Sequence, residues 1–139
     1  MKKTLFALTL ALASLFPINS AHALAPKDSR LVAVFFYAQD CEPSKGLSTK
    51  FDALKAQFSQ EPVLFVTFDH STAAARNQSA MLAQTMDLDE VYTNENRESG
   101  TIILIDSANE KEIGRITPEM TEDQAKETVQ NFLAQAAAL

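Results

Sequence analysis

The sequence predicts an α/β fold, a three-layer α/β/α sandwich built on a mixed four-stranded sheet. Three observations lead to this prediction. Apolar runs of strand length alternate along the chain with segments whose apolar residues recur at helical spacing. The first two strands are separated by a helix, which favours a right-handed parallel crossover. The last two strands are joined by a short turn and should be antiparallel. The predicted order of the elements along the chain is β-α-β-α-β-β-α.

A segment with the pattern of an export signal precedes this domain. Lys2-Lys3 is followed by an apolar run from Leu5 to Pro17 and then by Ala21-His22-Ala23, the order typical of a secretory signal peptide with an A-x-A exit. The apolar run is shorter than the roughly 20 residues that a membrane-spanning helix needs. We therefore expect residues 1–23 to be a signal peptide and residues 24–139 to be one domain. We expect the protein to be secreted into the bacterial periplasm.

Composition narrows the classes of partner. Removal of residues 1–23 from the 139 leaves 116 residues, enough for one domain with a core, with ten basic and 18 acidic side chains and a net charge of −8. Nucleic acid is not an expected partner, because its binding depends on neutralisation of phosphates by Lys and Arg. Anionic lipid surfaces are disfavoured for the same reason, and no stable membrane insertion is expected after cleavage. One cysteine and one remaining histidine do not supply the four ligands of a structural zinc site, so neither a metal nor a cofactor is expected.

The first strand and the first helix flank the cysteine. Residues 31–37 (LVAVFFY) form a continuous apolar run, typical of a strand buried on both faces. From Lys45 to Gln60 the apolar residues recur at spacings of four, three and four, which predicts one buried helical face. That face consists of Leu47, Phe51, Leu54 and Phe58.

The second strand and the second helix follow. Val63 to Phe68 is predicted to be a buried strand. Ser71 or Thr72 can cap a helix that runs to about Met86. Its apolar positions include Ala75, Met81 and Leu82.

The last third of the chain contains the remaining elements. Residues 87–100 are polar and are predicted to be irregular. Thr101 to Asp106 predicts the third strand, and a turn leads into a fourth from Glu112 to Ile116. Thr121 and Gln124 form a capping box for the final helix. Its face is predicted to contain Ala125, Val129, Phe132, Leu133 and Ala136.

The candidate site is the segment Asp40-Cys41-Glu42-Pro43-Ser44-Lys45, between the first strand and the first helix. Sites in open α/β sheets lie beyond the carboxyl ends of the parallel strands. The positive end of a helix dipole lowers the pKa of a thiol, and Lys45 adds a positive charge within reach. Asp40 and Glu42 raise that pKa, so the sign of the shift stays open. Cys41 is either a reactive thiol or a small half-buried residue without chemistry.

This segment resembles the active-site loop of the thioredoxin family, W-C-x-P-C-K or a close variant at the end of a central strand. Cys41 matches the attacking cysteine, Pro43 the intervening proline and Lys45 the lysine that follows. Ser44 stands where the family has its second, resolving cysteine. The resemblance covers roughly residues 30–137. It implies a thioredoxin-like fold and thiol–disulfide chemistry, with protein thiols, disulfides or small thiols as partners.

Three further positions depart from the family pattern. Asp40 replaces the tryptophan, and Phe35 stands where the family has a buried acidic residue. Gly100 stands where the family places a cis-proline before its third strand. A cis bond at a non-proline residue costs ~2.5–4 kcal/mol, so an ordinary trans bond is expected. In the family this loop pairs with the substrate backbone, so Gly100 implies altered partner recognition.

Two functions are compatible with these residues. A hydroxyl at Ser44 cannot resolve a mixed disulfide, so exchange at Cys41 would need an external thiol to release it. The alternative is a catalytically degenerate thioredoxin-fold module that binds proteins through the edge around Cys41, Tyr37 and Gly100. His70 follows the second strand at the same edge, where an imidazole can stabilise a thiolate. A solvent-facing loop position is the simpler expectation for it.

Overall fold

The computed structural model describes residues 28–95 and 99–136. The predicted signal peptide therefore lies outside the described residues. The strands are β1 (Leu31–Tyr37), β2 (Val63–Asp69), β3 (Thr101–Asp106) and β4 (Lys111–Ile116). The helices are α1 (Glu42–Gln57), α2 (Ala73–Thr85), α3 (Asp89–Glu95) and α4 (Glu122–Ala136). Apart from α3, these elements follow the predicted order.

The four strands form one mixed sheet in the order β2-β1-β3-β4. β1 and β2 are parallel, with Leu31 opposite Val63 and Tyr37 opposite Asp69. β3 is antiparallel to both β1 and β4, and its pairing with β4 shifts register between Leu104 and Ile105. The predicted parallel crossover and the predicted hairpin are therefore both confirmed.

β1 is buried on both faces and divides the core into two halves. Its odd-numbered residues from Leu31 to Phe35 pack with α1 and α4, and its even-numbered residues from Val32 to Phe36 pack with α2 and α3. The predicted face of α1 is fully confirmed, since all four of its apolar residues are buried. On α4, Ala125 and Val129 are buried, while Phe132 and Leu133 are partly buried against the same half of the core.

Helix α3 lies in the stretch that was predicted to be irregular, and this prediction is wrong. Leu88 and Tyr92 are buried one turn apart, and the Tyr92 N–H donates to the Leu88 carbonyl at 2.9 Å. The Tyr92 hydroxyl donates to the Arg76 carbonyl at 2.9 Å. Tertiary contacts thus stabilise a helix that is too short and too polar to show a period of its own.

Helix α2 buries a different face from the one its large apolar residues predict. Met81 and Leu82 are 68% and 41% exposed, whereas Ser79 and Ala83 are buried. The Asp69 N–H donates to the Ser79 hydroxyl at 2.8 Å. α2 therefore meets the sheet through small side chains that allow close approach, and its large apolar residues Met81 and Leu82 face away from the core.

The helix caps follow the sequence signals. The Thr72 hydroxyl accepts from the Ala75 N–H at 3.0 Å and caps α2. Thr121 and Gln124 form the predicted reciprocal box before α4, with bonds of 2.8 and 3.2 Å. Within the described ranges, no helix combines the length and the apolar character needed to cross a bilayer.

Candidate functional site

Cys41 is the N-cap residue of α1. Its backbone is extended, with φ −100°, and Pro43 lies in the first helical turn, where the missing N–H of proline costs nothing. A turn precedes the helix, because the Cys41 N–H donates to the Ala38 carbonyl at 3.1 Å. The sulfur is half-buried and free, and it lies 3.7 Å from the Ser99 carbonyl. The chain thus places its cysteine where the free N–H groups of a helix begin.

Ser44 is completely buried beneath this loop. Its hydroxyl accepts a hydrogen bond of 3.1 Å from the Ala38 N–H, the first backbone group after β1. Because that bond occupies an acceptor position, the hydroxyl proton is free to point toward the sulfur one helical turn earlier. Ser44 therefore connects the end of β1 with the thiol.

The pKa of the Cys41 thiol is lowered from its ordinary value. The largest cause is a hydrogen bond with the Ser44 hydroxyl, followed by one with Ser99, and the Ser44 backbone N–H acts in the same direction. Burial and the negative charge of Glu42 raise the pKa, but they are outweighed. The direction of the Cys41 pKa shift, which the sequence left open, is therefore downward, because hydroxyl groups stabilise the thiolate.

Lys45 does not have the expected role beside the sulfur. Its ammonium donates to the Glu42 carboxylate at 2.6 Å, and this pair is exposed, with 53% and 82% of the two side chains accessible. Glu42 accordingly raises the pKa of Lys45. The two charges partly cancel each other at the rim of the site, and hydroxyl groups provide the main stabilisation of the thiolate.

The loop before β3 closes the site from the other side. Gly100 has φ +83°, and its N–H donates to the Phe36 carbonyl at 2.8 Å. A Cβ atom at Gly100 would lie 2.5 Å from the Pro43 Cβ and 3.1 Å from the Ser44 nitrogen. All peptide bonds within the described ranges are trans, as expected at Gly100. The family's proline does not fit this backbone, because proline requires φ near −65° and has no N–H to donate.

Hydrogen bonds join the cysteine loop to the loop after β2. The His70 N–H donates to the Tyr37 carbonyl at 2.7 Å, and the Gln39 N–H donates to the Ser71 hydroxyl at 2.9 Å. The Asp69 carboxylate accepts from the Ser71 N–H at 2.8 Å. The residues just before Cys41 are therefore fixed on two sides, by Ser44 and by Ser71.

His70 is buried, so the expectation of a solvent-facing loop residue is wrong. Its ring makes edge contacts with Phe36 and Tyr92, with centroids 5.6 and 5.3 Å away. These residues belong to the half of the core under α2 and α3, whereas Cys41 caps α1 on the opposite face. Tyr92 comes from α3, which the sequence did not reveal. Among the described residues, Ser44 and Ser99 lower the pKa of Cys41, and His70 does not contribute to that shift.

Tyr37 lies at the carboxyl end of β1, partly buried, with its ring 5.8 Å from that of Phe35 in an edge contact. Phe35 is buried in the α1 half of the core. In the part of the chain that the structure describes, no group of three or more His, Cys, Asp or Glu side chains is placed to hold a metal ion. The geometry at Cys41 is that of one thiol with a lowered pKa, bordered by Ser44, Pro43 and the Ser99–Gly100 loop.

No protein-family model matches this sequence, and no curated protein matches it significantly. Solved structures do match. A thioredoxin from Fasciola hepatica aligns with a TM-score of 0.50 and 20% identity over 76% of this chain and 84% of that chain. An oxidised thioredoxin from Plasmodium falciparum gives 0.48 and 16% identity over 78% and 86%. The first of these likenesses, together with the sheet order and the helix layers, shows that the chain has a thioredoxin-like fold.

Proposed function

We propose that this protein is an exported thioredoxin-like protein that performs thiol–disulfide exchange through a mixed disulfide at Cys41. The observation that carries the proposal is the hydrogen bonding of the sulfur, since Ser44 and Ser99 lower the pKa of the thiol at a half-exposed helix N-cap. A thiolate, not a thiol, is the attacking species in exchange. Burial alone would have had the opposite effect.

The exchange has two balanced steps. The Cys41 thiolate attacks one sulfur of a substrate disulfide, and a new S–S bond forms as the substrate bond breaks and its other sulfur leaves as a thiolate. Ser44 has no sulfur with which to attack in turn. An external thiolate, from a small thiol or a protein, therefore attacks the substrate sulfur, forms a disulfide with it and releases Cys41 as a thiolate. Overall, the external thiolate is oxidised into a disulfide with one substrate sulfur, and the other substrate sulfur is reduced to a thiolate, so the number of disulfides is unchanged.

The activation of Cys41 can be tested by alkylation of the purified protein with iodoacetamide as a function of pH. We expect the thiol to titrate below the unperturbed value of about 8.5, and Ser44→Ala to raise that pKa. Ser79→Ala is the matched control, because Ser79 is also a buried helix serine that accepts from a strand-end N–H, but on the opposite face of the sheet. It should lower stability without moving the thiol titration.

The chemistry itself is tested by incubation with a small neutral disulfide and measurement of the intact mass. A mixed disulfide should form on Cys41 and should disappear when a thiol is added, and Cys41→Ser should form none. A thiol that titrates at or above the unperturbed value, and that forms no mixed disulfide, would refute the exchange proposal. The protein-binding module would then be the better description of the site.

A further inference from the structure

Strand β2 is an outer strand of the sheet and leaves backbone groups without a strand partner. The His70 N–H continues the ladder to β1, whereas the Asp69 N–H points away from β1 to Ser79. Alternate residues of a strand direct their backbone groups to opposite sides. The N–H and C=O groups of Phe65 and Thr67 therefore point outward, and the described residues include no strand on that side.

The sequence of β2 has a charged residue only at its end, Asp69. From Val63 to Phe68 the strand contains no charged residue and no proline, and it has no bulge in its pairing with β1. Leu64 and Phe65 are partly exposed, and Thr67 is exposed. Natural proteins normally interrupt such an edge with Lys, Pro, a bulge or a cover, because it is a template for pairing with another strand.

We propose that β2 is the interface at which two copies of this chain pair, as antiparallel strands around a twofold axis at Val66. In this register Phe65 of each copy lies opposite Thr67 of the other. Such opposed residues exchange both of their N–H···O bonds, so four outward N–H···O bonds form across the axis. The result is one continuous eight-stranded sheet.

The groups around this segment favour the register centred on Val66. An axis at Phe65 would place Asp69 of one copy opposite Glu61 of the other, and like charges opposite each other are destabilising. An axis at Thr67 would oppose Phe65 and Asp69, but the outward N–H and carbonyl of Asp69 already bond to Ser79 at 2.8 and 3.2 Å. The axis at Val66 uses only the outward N–H and C=O groups of Phe65 and Thr67, which have no strand partner among the described residues.

The segment in front of the domain argues against a cover from the N-terminal side. Once residues 1–23 are removed, residues 24–27 are all that precede the described range, and the internal gap is residues 96–98. Both segments are shorter than the seven residues of β2. An uncleaved N-terminus would be long enough, so this step depends on removal of the signal peptide. The high negative charge of each copy opposes association, and added salt should strengthen the dimer.

The test uses the full chain expressed with its own N-terminus and purified as the cell processes it. Sedimentation should show a monomer–dimer equilibrium that shifts toward dimer with salt. The amide protons of Phe65 and Thr67 should exchange quickly in dilute samples and become protected as the dimer forms. Monomeric protein at millimolar concentration, or protection of these amides that does not change with concentration, would overturn the proposal.

Variants at Thr67 identify the interface. Thr67→Pro removes the outward N–H but leaves the bonds from β2 to β1, and it should weaken the dimer roughly 30-fold because two N–H···O bonds are lost. Thr67→Val keeps the N–H and should dimerise like the parent. Thr67→Lys keeps the backbone but places a charge at the interface, so it tests the same point if the proline variant folds poorly. A dimer that both Thr67→Pro and Thr67→Lys leave intact would place the interface elsewhere.

Discussion

Ser44 combines two effects on the chemistry of the site. As a hydroxyl it accepts from the Ala38 N–H and lowers the pKa of Cys41, so it favours the thiolate. As a residue without sulfur it prevents release of a mixed disulfide from within the molecule. In the proposed exchange, the same side chain would thus activate the attack and leave the second step to another thiol. Both effects arise within the short segment from Ala38 to Ser44.

Replacement of Ser44 by cysteine should convert the site to dithiol chemistry. The two sulfurs would lie one helical turn apart, and we expect Ser44→Cys to form an intramolecular disulfide that is visible as the loss of two hydrogens in the intact mass. In an insulin-reduction assay with dithiothreitol as the electron donor, this variant should exceed the parent, because its second thiol can release the mixed disulfide from within the molecule. Weakening of the Ala38 bond should cost about 1 kcal/mol of stability.

Ser79→Cys is the control for that experiment, because it introduces a buried helix thiol under α2 rather than beside Cys41. It should keep two free thiols and background activity. If Ser44→Cys forms its bridge but stays inactive, the surface does not recognise disulfide substrates, and the exchange proposal fails.

His70 should make stability depend on pH. Burial lowers its pKa, with the charge of Arg76 acting in the same direction and that of Asp69 opposing it, and Nε2 has no hydrogen-bond partner among the described residues. The unfolded chain therefore binds the proton more readily, so stability is complete above about pH 6.5 and falls as the pH drops toward the folded-state pKa. The slope should not exceed about 1.4 kcal/mol per pH unit for one group.

Urea unfolding at pH 7, 6 and 5 measures this effect. His70→Phe keeps an aromatic ring against Phe36 and Tyr92 and should abolish the change over that range. Carboxyl groups titrate at lower pH in both proteins, so the two curves should run parallel there. A parent and a variant with the same slope between pH 7 and pH 5 would show that His70 is not the cause.

At the level of elements, the site depends on the close approach of the β3 entrance to the first turn of α1. Gly100→Ala would place a Cβ 2.5 Å from that of Pro43 at φ +83°, and it should cost about 1–3 kcal/mol. Because Pro43 would have to move, the thiol pKa of the neighbouring Cys41 should change as well. Thermal unfolding and alkylation kinetics measure the two effects.

Gly46→Ala is the matched control within the same region. Gly46 is an exposed residue of α1, and an added Cβ meets nothing within 4 Å. It should stabilise the protein by about 0.5–1 kcal/mol, since glycine loses more conformational freedom in a helix than alanine does. Equal effects of the two substitutions would show that the contact between Gly100 and Pro43 does not constrain the site.

The elements that the sequence predicts best are those whose own residues determine their burial. β1 and β3 have the predicted limits because each is a continuous apolar run in the middle of the sheet. Helix α3 and the burial of His70 were not predicted, because each depends on the other through Tyr92 and neither has a local period. The sequence motif predicts Cys41 and Ser44 as site residues, which stays a prediction, and the hydrogen bond from the Ala38 N–H to the Ser44 hydroxyl appears only once β1 and α1 are placed together.

At the scale of the whole molecule, the net charge of the protein and the presence of a chain segment that could cover β2 both depend on where the mature chain begins. If residues 1–23 are removed as proposed, two lysines go with them and the net charge of residues 24–139 is −8. Only residues 24–27 would then precede the first described residue, Asp28. The proposed processing would thus change both the charge of the protein and the length of chain in front of β1.

The processing itself is the last prediction. The exported protein should have the intact mass of residues 24–139, with Leu24 at its N-terminus, because a signal peptidase cuts after the small residues of an A-x-A exit. Ala23→Arg should block cleavage, whereas Ala25→Arg, which lies beyond the exit, should be processed normally. Recovery of the parent in the membrane fraction with Met1 intact would replace the signal peptide with an anchor. An anchored chain would keep 27 residues in front of the domain, and the free edge proposed for β2 would then have a candidate cover of its own.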